Sequence, residues 1–335
     1  EGEQIFICVF GYPKMEKLCA EPCRKVIQDA FEQNITHAPG MEHVREMVTG
    51  PIIPTPGAVM ECTKLLYEYL GDLIVLDVGG ATTDLHSVTV ESDQVARLMI
   101  SPEPKAKRTV EGDLGVYVNR WKVVESIGEE KLREQCREQG FSMEHALETY
   151  RAIPKTEEEV KLVELLTREA VVKAAERHAG RLRYIYGPSG RSTVAEGKDL
   201  TQVKYIVGTG GALTRLPHRE EIMREITRCN ESGMLLLPGE HAQILVDHDY
   251  IMASLGVLSK RYPQAAARLL EQSLGITFPE RKAEEPVPVC NKELSRLETQ
   301  RQQREEELQR HIEECEAMGY DMSAYRENKP KAGDC

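Results

Sequence analysis

The chain of 335 residues lacks the features of a membrane or secreted protein. No run approaches the roughly 18 consecutive apolar residues that a membrane span needs, and no signal-peptide pattern opens the sequence. Positive charge is also in deficit, because 43 Lys and Arg stand against 55 Asp and Glu, for a net charge of −12. A nucleic acid or an anionic membrane is therefore disfavoured as the main partner, since both carry negative charge.

The nine cysteines show no Cys-x-x-Cys spacing. Cys19 and Cys23 stand four residues apart and could share one face of a helix, but a structural zinc site needs four ligands and no second pair is present. The pattern favours free thiols in a reducing cytoplasm. No Ser, His or Cys residue lies in a nucleophile elbow or a protease signature.

The most informative segment that is present covers residues 77–84, Asp-Val-Gly-Gly-Ala-Thr-Thr-Asp. An apolar run at 73–76 precedes it and predicts a fully buried strand, and an alternating run at 85–90 follows and predicts its hairpin partner. Gly79 and Gly80 let the backbone approach a ligand closely and leave amide groups free to face an anion. The segment therefore predicts a phosphate-binding turn on a β-hairpin, unlike a P-loop, which joins a strand to a helix.

Two carboxylates flank this turn. Asp77 and Asp84 can hold a hydrated Mg²⁺, which accepts few carboxylates and keeps several waters, and Thr82 and Thr83 add hydroxyl donors. We predict that Asp77 holds the metal ion through water and that both carboxylates serve any chemistry at the site. The alternative is that they end a strand and cap a turn, but the flanking strands and glycines favour the nucleotide interpretation.

A second glycine cluster follows another short apolar strand, predicted at 205–207, and precedes a helical pattern at 213–228. A glycine-rich turn between a strand and a helix suits a flat ligand such as a purine or ribose. In isolation such a cluster is as often an ordinary turn. The candidate binding residues here are Gly208, Gly210, Gly211 and Ala212.

These segments carry a family resemblance. Residues 77–84 resemble the second phosphate motif of the actin, heat-shock chaperone and sugar-kinase superfamily, and 208–212 resemble its adenosine motif. Residues 54–70 and 247–258 resemble its two connecting helices. The resemblance implies an α/β protein with the actin-like ATPase (ribonuclease H-like) fold, which binds ATP or ADP with Mg²⁺.

A closer resemblance is to the glutamate-mutase-associated MutL (GlmL) family, which is unrelated to the mismatch-repair protein of the same name. It rests on residues 51–58, 77–86 and 108–115 and covers about residues 1–275. It implies an ATP-dependent reactivating or chaperone factor whose partners are subunits of an adenosylcobalamin-dependent aminomutase.

The sequence also departs from the superfamily pattern. The family's first phosphate motif, on an N-terminal hairpin, is absent here, so we expect a partial first lobe and a complete second lobe with a helical insertion. A fragment and a truncated gene both remain open, as does a separate chain that supplies the missing lobe. Thr55 stands where a heat-shock ATPase usually carries a glutamate. We therefore expect weak ATP hydrolysis or none. The alternatives are a non-enzymatic scaffold of this fold and a small-molecule kinase.

The expected domain organisation follows from the pattern of motifs and breakers. The segments are the remainder of the first lobe and a connecting helix at 1–70, the phosphate hairpin sheet at 71–115, the helical insertion at 116–200, the adenosine-motif part at 201–277 and a charged helical tail at 278–335. The predicted elements are strands at 4–10, 95–100 and 234–237, and helices at 21–33, 57–70, 156–178, 247–261 and 291–318, with a disordered end at 327–335.

Several polar residues receive a structural interpretation. His86 is expected to be a core or sheet-surface histidine, and Asp247 and Asp249 are expected to cap the last compact helix. Residues 187–192 are expected to form a solvent loop. The sequence supports two interpretations of residues 111–113, Glu-Gly-Asp, equally well. One is a contact with the ribose or metal, and the other is a place at a helix N-terminus.

Overall fold

The computed structural model describes residues 40–48 and 52–279, except 102, 188, 189 and 231, together with the single positions 26 and 30. All of them lie in the first of the two units into which the chain divides, Glu1–Glu280. The predicted strand at 4–10, the Cys19–Cys23 pair, the tail helix at 291–318 and the end at 327–335 fall outside the described residues. Of the predicted helix at 21–33, only positions 26 and 30 are described, and both are helical.

A mixed five-stranded sheet forms the centre of this unit. The seven strands of the described residues are β1 (Leu73–Val78), β2 (Thr83–Val88), β3 (Ala106–Glu111), β4 (Arg181–Gly187), β5 (Gly190–Glu196), β6 (Tyr205–Thr209) and β7 (Gln243–Val246). The order of strands in the central sheet is β3-β2-β1-β6-β7. Strands β1, β2 and β3 pair antiparallel, whereas β6 runs parallel to β1 and β7 runs parallel to β6. The predicted hairpin of β1 and β2 is therefore confirmed.

Helices cover both faces of the sheet. Those in the described residues are α1 (Met41–Met47), α2 (Thr55–Leu70), α3 (Asp93–Ala96), α4 (Arg120–Ile127), α5 (Glu129–Glu138), α6 (Met143–Glu148), α7 (Glu157–His178), α8 (Gly210–Arg215), α9 (Arg219–Arg224), α10 (Met252–Ser259) and α11 (Pro263–Leu274), with a short 3₁₀ helix at Glu225–Thr227. No helix in the described part of the chain is long and apolar enough to cross a membrane.

The period of two along β1 divides its side chains between two cores. Ile74 and Leu76 face α7, in a large core that extends into α4, α5 and α6. Leu73 and Val75 face α2, α10 and α11, in a second core. Asp77 lies on the same face of β1 as Leu73 and Val75, so its carboxylate points to the side of α2 and α10.

Helices α2 and α10 approach each other very closely at Gly256. A Cβ atom there would overlap the carbonyl oxygen of Ala58 in α2. The two segments that resemble the superfamily's connecting helices, 54–70 and 247–258, thus contain helices in direct contact. A glycine is required at this crossing because the backbones leave no room for a side chain.

Three predicted elements are wrong. Residues 95–100 form no strand, because Ser92 accepts a hydrogen bond from the Val95 amide and starts α3; the third antiparallel strand is β3. Residues 234–237 make only an isolated bridge, between Leu235 and Arg181, and the sheet edge is β7. The helical pattern at 213–228 is divided, since Pro217 interrupts it between α8 and α9.

The C-terminal helical region also differs from the prediction. The helix expected at 247–261 begins only at Met252, and α11 follows as a separate helix that the sequence pattern missed. Pro263 stands at the start of α11, where its missing amide donor costs nothing.

The predicted insertion at 116–200 is helical only as far as α7. The helix predicted at 156–178 is confirmed as α7, and a capping box starts it, because Thr156 accepts from the amide of Glu159 and Glu159 accepts from the amide of Thr156. Beyond α7 the chain forms the two-stranded hairpin of β4 and β5. The loop predicted at 187–192 is therefore wrong for its described residues, because Gly187 ends β4 and residues 190–192 begin β5. Gly180, two residues past the end of α7, lies against the backbone of Gly197, where a Cβ would not fit.

We predict that Gly256→Val lowers the free energy of unfolding by about 3 kcal/mol, because the side chain forces α2 and α10 apart. Gly112→Ala is the control, since its Cβ would meet no described atom within 4 Å. Urea unfolding of both variants measures the effect. Equal stability of Gly256→Val and the parent would show that the helices do not pack as described.

Candidate functional site

The two predicted carboxylates face each other across the hairpin. Asp77 in β1 and Asp84 in β2 are direct partners in the antiparallel register. On its other side Asp77 is the partner of Thr209 in the parallel pair of β1 and β6. One row across three strands thus contains Asp84, Asp77 and Thr209. Because the carboxyl ends of parallel strands meet at one edge of a sheet, this pairing brings the two glycine clusters together.

Gly210 is the point of contact between the clusters. Its φ is +85°, and a Cβ there would lie 2.5 Å from Asp77 Oδ1 and 2.6 Å from the amide nitrogen of Val78. Both the left-handed backbone and the lack of space demand glycine. Gly211 beside it is exposed, and its Cβ would meet no described atom within 4 Å. The start of α8 therefore presents bare backbone next to Asp77.

The other two residues of this cluster lie away from the open edge. A Cβ at Gly208 would lie 2.5 Å from the sulfur of Met223, on the face of the sheet that α9 covers. Ala212 is buried in the same core. Gly208 and Ala212 therefore allow close helix packing beneath the site, while Gly210 and Gly211 stand beside Asp77.

The turn between β1 and β2 is held from one side by the segment that follows β3. The amide of Gly79 donates to Thr82 O over 2.9 Å and closes the turn. The carbonyl of Gly80 accepts from the amides of Tyr117 and Val118, at 2.9 and 2.7 Å. Within the described residues, the amides at 80–82 donate to no acceptor. Such adjacent free amides on a fixed turn are suited to an anion.

The two threonines have different roles. The hydroxyl of buried Thr83 donates to Leu114 O over 2.7 Å, so it ties the turn to the segment after β3. Thr82 is half-buried, and a hydrogen bond from its side chain acts to lower the pKa of Asp84. Asn119, which the sequence did not single out, donates to Ala81 O and Gly112 O over 2.7 Å each.

Burial and like charge make both carboxylates hard to ionise. Burial, followed by the charge of Asp247, raises the pKa of Asp77 to about 6. Burial, followed by the charge of Asp77, raises the pKa of Asp84 to about 6. Asp84 Oδ1 is buried and has no hydrogen-bond partner among the described residues. A cation beside the pair would relieve the repulsion and favour the ionised forms.

Asp247 fixes the position of three elements around the site. Its Oδ1 accepts from the Ile251 amide (3.2 Å) and Ser273 Oγ (2.5 Å), and its Oδ2 accepts from the Met252 amide (3.0 Å) and Thr209 Oγ1 (2.8 Å). The predicted capping role of Asp247 is confirmed, because its carboxylate binds amides at the start of α10. The predicted cap by Asp249 is wrong, since Asp249 instead donates its backbone amide to Ser273 Oγ. The bond to Thr209 was not predicted.

Glu111 and Asp113 do not stand at a helix N-terminus, since α4 begins only at Arg120. Both carboxylates bind Arg177, near the end of α7. Its guanidinium lies 2.6 Å from Glu111 Oε2 and donates to both oxygens of Asp113, at 2.7 and 2.9 Å. Arg177 accordingly lowers the pKa of Asp113. The pair therefore joins the end of β3 to the insertion, and sequence reasoning had not identified Arg177.

His86 is a core residue, as expected. It is fully buried in β2, and burial, followed by the charge of Arg108, lowers its pKa to about 3. The ring is therefore neutral near neutral pH.

The donor set of the site suits a hydrated cation. Among the described residues, no group of three or more His, Cys, Asp or Glu side chains is arranged to hold a metal ion by itself. Asp77 and Asp84 supply carboxylate oxygens, and Asp84 Oδ1 has no partner in the described part of the chain. Mg²⁺, which keeps several waters and takes additional oxygens from phosphate, fits such a set.

Fold and site together define a mixed α/β protein with a carboxylate-flanked glycine turn at the carboxyl edge of its sheet. Residues 2–274 match the family model described as MutL protein, and the chain belongs to that family. The chain is 35% identical over 274 residues to Protein MutL of Clostridium tetanomorphum, in an alignment that covers 78% of this chain. The alignment spans 59% of the length of that relative. The family expected from the sequence motifs is confirmed.

We predict that Asp84→Asn stabilises the protein at pH 8. The folded-state pKa of Asp84 is raised, so the folded state binds more protons than the unfolded chain between about pH 4 and 6, and stability falls as pH rises through that window. Asparagine removes this loss, which amounts to about 1–3 kcal/mol above pH 6.

Urea unfolding at pH 4.5, 6 and 8 measures the difference between Asp84→Asn and the parent. Because the variant and the parent share all other groups, the difference between their free energies of unfolding reports on the Asp84 carboxylate and its neighbours. Exposed Asp249 provides the control variant Asp249→Asn, which should show no such pH dependence. A stability difference that is constant from pH 4.5 to 8 would contradict the raised pKa.

Proposed function

We propose that this chain binds ATP or ADP with Mg²⁺ where β1, β2 and β6 meet. The observation that supports this most directly is the packing of Gly210 on Asp77, with Asp84 opposite and, nearby, the amides at 80–82, which no described acceptor pairs. An anion-binding turn, a pair of carboxylates and exposed glycine backbone thus share one edge. Few ligands other than a magnesium-bound nucleotide require all three.

Each part of the site has a role in this proposal. Asp77 and Asp84 hold the hydrated Mg²⁺, and the amides at 80–82 face the phosphates. Gly210 and Gly211 provide the flat backbone against which the adenosine lies. When bound, the magnesium ion neutralises phosphate charge and offsets the cost of keeping two buried carboxylates ionised.

Hydrolysis by this chain is proposed to be weak or absent. Phosphoryl transfer depends on fixed charges and an oriented water. Thr55, which stands where the resemblance leads us to expect a glutamate, is the exposed first residue of α2. A threonine hydroxyl cannot supply the missing negative charge. This residue favours, as the second candidate, a scaffold that binds nucleotide without turnover.

We further propose that nucleotide binding lets the chain act as a chaperone-like or reactivating factor for an adenosylcobalamin-dependent aminomutase of the glutamate mutase type. The partner class rests on the family resemblance. We assign the contact to residues 116–200, which join the nucleotide half through α7 and the Arg177 ion pairs. This block carries several exposed large apolar side chains, namely Val118, Trp121, Ile153, Tyr184, Ile185 and Tyr186.

We predict that Asp77→Ala and Gly80→Val each weaken Mg²⁺-ATP binding at least tenfold. The first removes a metal ligand. The second places a β-branched side chain against Tyr117, whose Cβ would lie 3.2 Å from the new Cβ, and so displaces the turn whose amides face the phosphates. Calorimetry on the full 335-residue chain measures affinity. Trp121, the sole tryptophan of the chain, gives a second readout, because it lies in α4 just after the segment that holds the turn.

The matched controls are Asp93→Ala, an exposed carboxylate in α3, and Gly112→Ala, whose side chain meets no described atom within 4 Å. Circular dichroism verifies that all four variants fold. Unchanged ATP affinity in both Asp77→Ala and Gly80→Val would remove the basis of the nucleotide proposal.

We predict that the double variant Tyr184→Ser, Tyr186→Ser loses at least tenfold in affinity for the mutase. These rings are 47% and 79% exposed on the β4–β5 hairpin, and large aromatic side chains carry much of the energy of protein interfaces. Tyr262→Ser is the control, since Tyr262 is also exposed but lies outside the block. Binding of the purified mutase to immobilised chain provides the measurement. If only the Tyr262 variant loses affinity, the contact lies elsewhere.

A further inference from the structure

Tyr250 has an unusual backbone conformation. Its φ is +56°, and among the described residues it is the one non-glycine residue with a positive φ. Bulky L-amino acids rarely adopt this left-handed conformation, because their Cβ is then crowded by the backbone. Such strain persists where surrounding structure imposes it, and it is concentrated at ligand sites.

The surrounding structure here is the loop that Asp247 organises. The Tyr250 amide donates to Asp247 O over 3.2 Å. The next two residues, Ile251 and Met252, donate their amides to the buried carboxylate of the same aspartate. That carboxylate is in turn held by hydroxyls of Thr209 and Ser273. The loop is therefore anchored at both ends, and the conformation of Tyr250 follows from it.

Packing does not explain the choice of tyrosine. The side chain is 52% exposed, so much of the ring lies in solvent rather than in the core. Glycine or asparagine would adopt this backbone at lower cost. A large aromatic residue in a conformation it resists, with its ring open to solvent, indicates that the ring is needed at that place for a ligand.

The loop that carries Tyr250 stands at the same sheet edge as Asp77. Asp247 at its start binds the hydroxyl of Thr209, and Thr209 is the register partner of Asp77. The charges of Asp77 and Asp247, after burial, act to raise the pKa of Tyr250, which agrees with this placement. A tyrosine hydroxyl is a neutral hydrogen-bond donor, and near these carboxylates it suits a negatively charged oxygen that a further carboxylate would repel.

We propose that Tyr250 contacts the ligand, with its ring as a wall of the nucleotide site next to Asp77 and its hydroxyl as a donor to a phosphate oxygen. This inference rests on the proposed nucleotide function. It adds a residue that neither glycine motif includes, and it explains why the strain at this position is retained.

Three variants of the full chain test the proposal. Tyr250→Asn relieves the strain and removes the ring, Tyr250→Phe keeps the ring and the strain but removes the hydroxyl, and Tyr262→Phe is the control at another exposed tyrosine. For each we measure the unfolding equilibrium in urea and the affinities for Mg²⁺-ATP and for adenosine.

Tyr250→Asn should raise the folding equilibrium constant severalfold and weaken Mg²⁺-ATP binding at least tenfold. This combination is the signature of strain retained for a ligand. Tyr250→Phe should leave folding unchanged, weaken Mg²⁺-ATP about tenfold and leave adenosine affinity unchanged, because the lost donor served a phosphate. Tyr262→Phe should change none of these quantities.

Retention of parental Mg²⁺-ATP affinity in Tyr250→Asn would overturn the inference. A lower folding equilibrium constant in that variant would also overturn it, because it would show that the ring serves packing. If Asp77→Ala abolishes nucleotide binding while Tyr250→Asn binds like the parent, this inference fails and the proposed function stands. If the parent chain binds no nucleotide, both fail together.

Discussion

The parallel pairing of β1 with β6 is the constraint on which the site depends. Its register places Thr209 opposite Asp77, while the antiparallel pairing with β2 places Asp84 on the other side. A shift of one residue would turn Asp77 to the opposite face of the sheet and separate it from its neighbours. Gly210 stabilises this register indirectly, since only glycine lets the start of α8 lie on the Asp77 carboxylate and the Val78 backbone.

Several unfavourable features gather around that row. Two buried carboxylates face each other with raised pKa values, and Tyr250 is strained. Within the residues that the structure describes, one oxygen of Asp84 also lacks a partner. A protein selected only for stability would replace these groups, whereas functional sites commonly retain them. The carboxylate of Asp247, by contrast, accepts four hydrogen bonds, and these bonds hold β6, α10 and α11 around the site.

Elements with strong local signals were predicted well. The apolar run at 73–76 and the helix predicted at 156–178 each depend on a few neighbouring residues. Short apolar runs were unreliable. Residues 234–237 are buried in part without forming a strand, while the four-residue β7 was missed, because a run this short does not distinguish a strand from a packed loop. Helix α11 was missed because small alanines, rather than large apolar residues, form part of its buried face.

The sequence by itself determined the family, the glycine turn of β1 and β2 with its two carboxylates, and the capping role of Asp247. These features depend on residue types at close spacing, which the chain displays directly. Only the tertiary structure decided that Gly210 rather than Gly208 touches Asp77, that Arg177 binds Glu111 and Asp113, and that Asp247 joins the Tyr250 loop to Thr209. Those relations join residues far apart in the chain, and strand register and helix packing, which no local pattern encodes, bring them within contact distance.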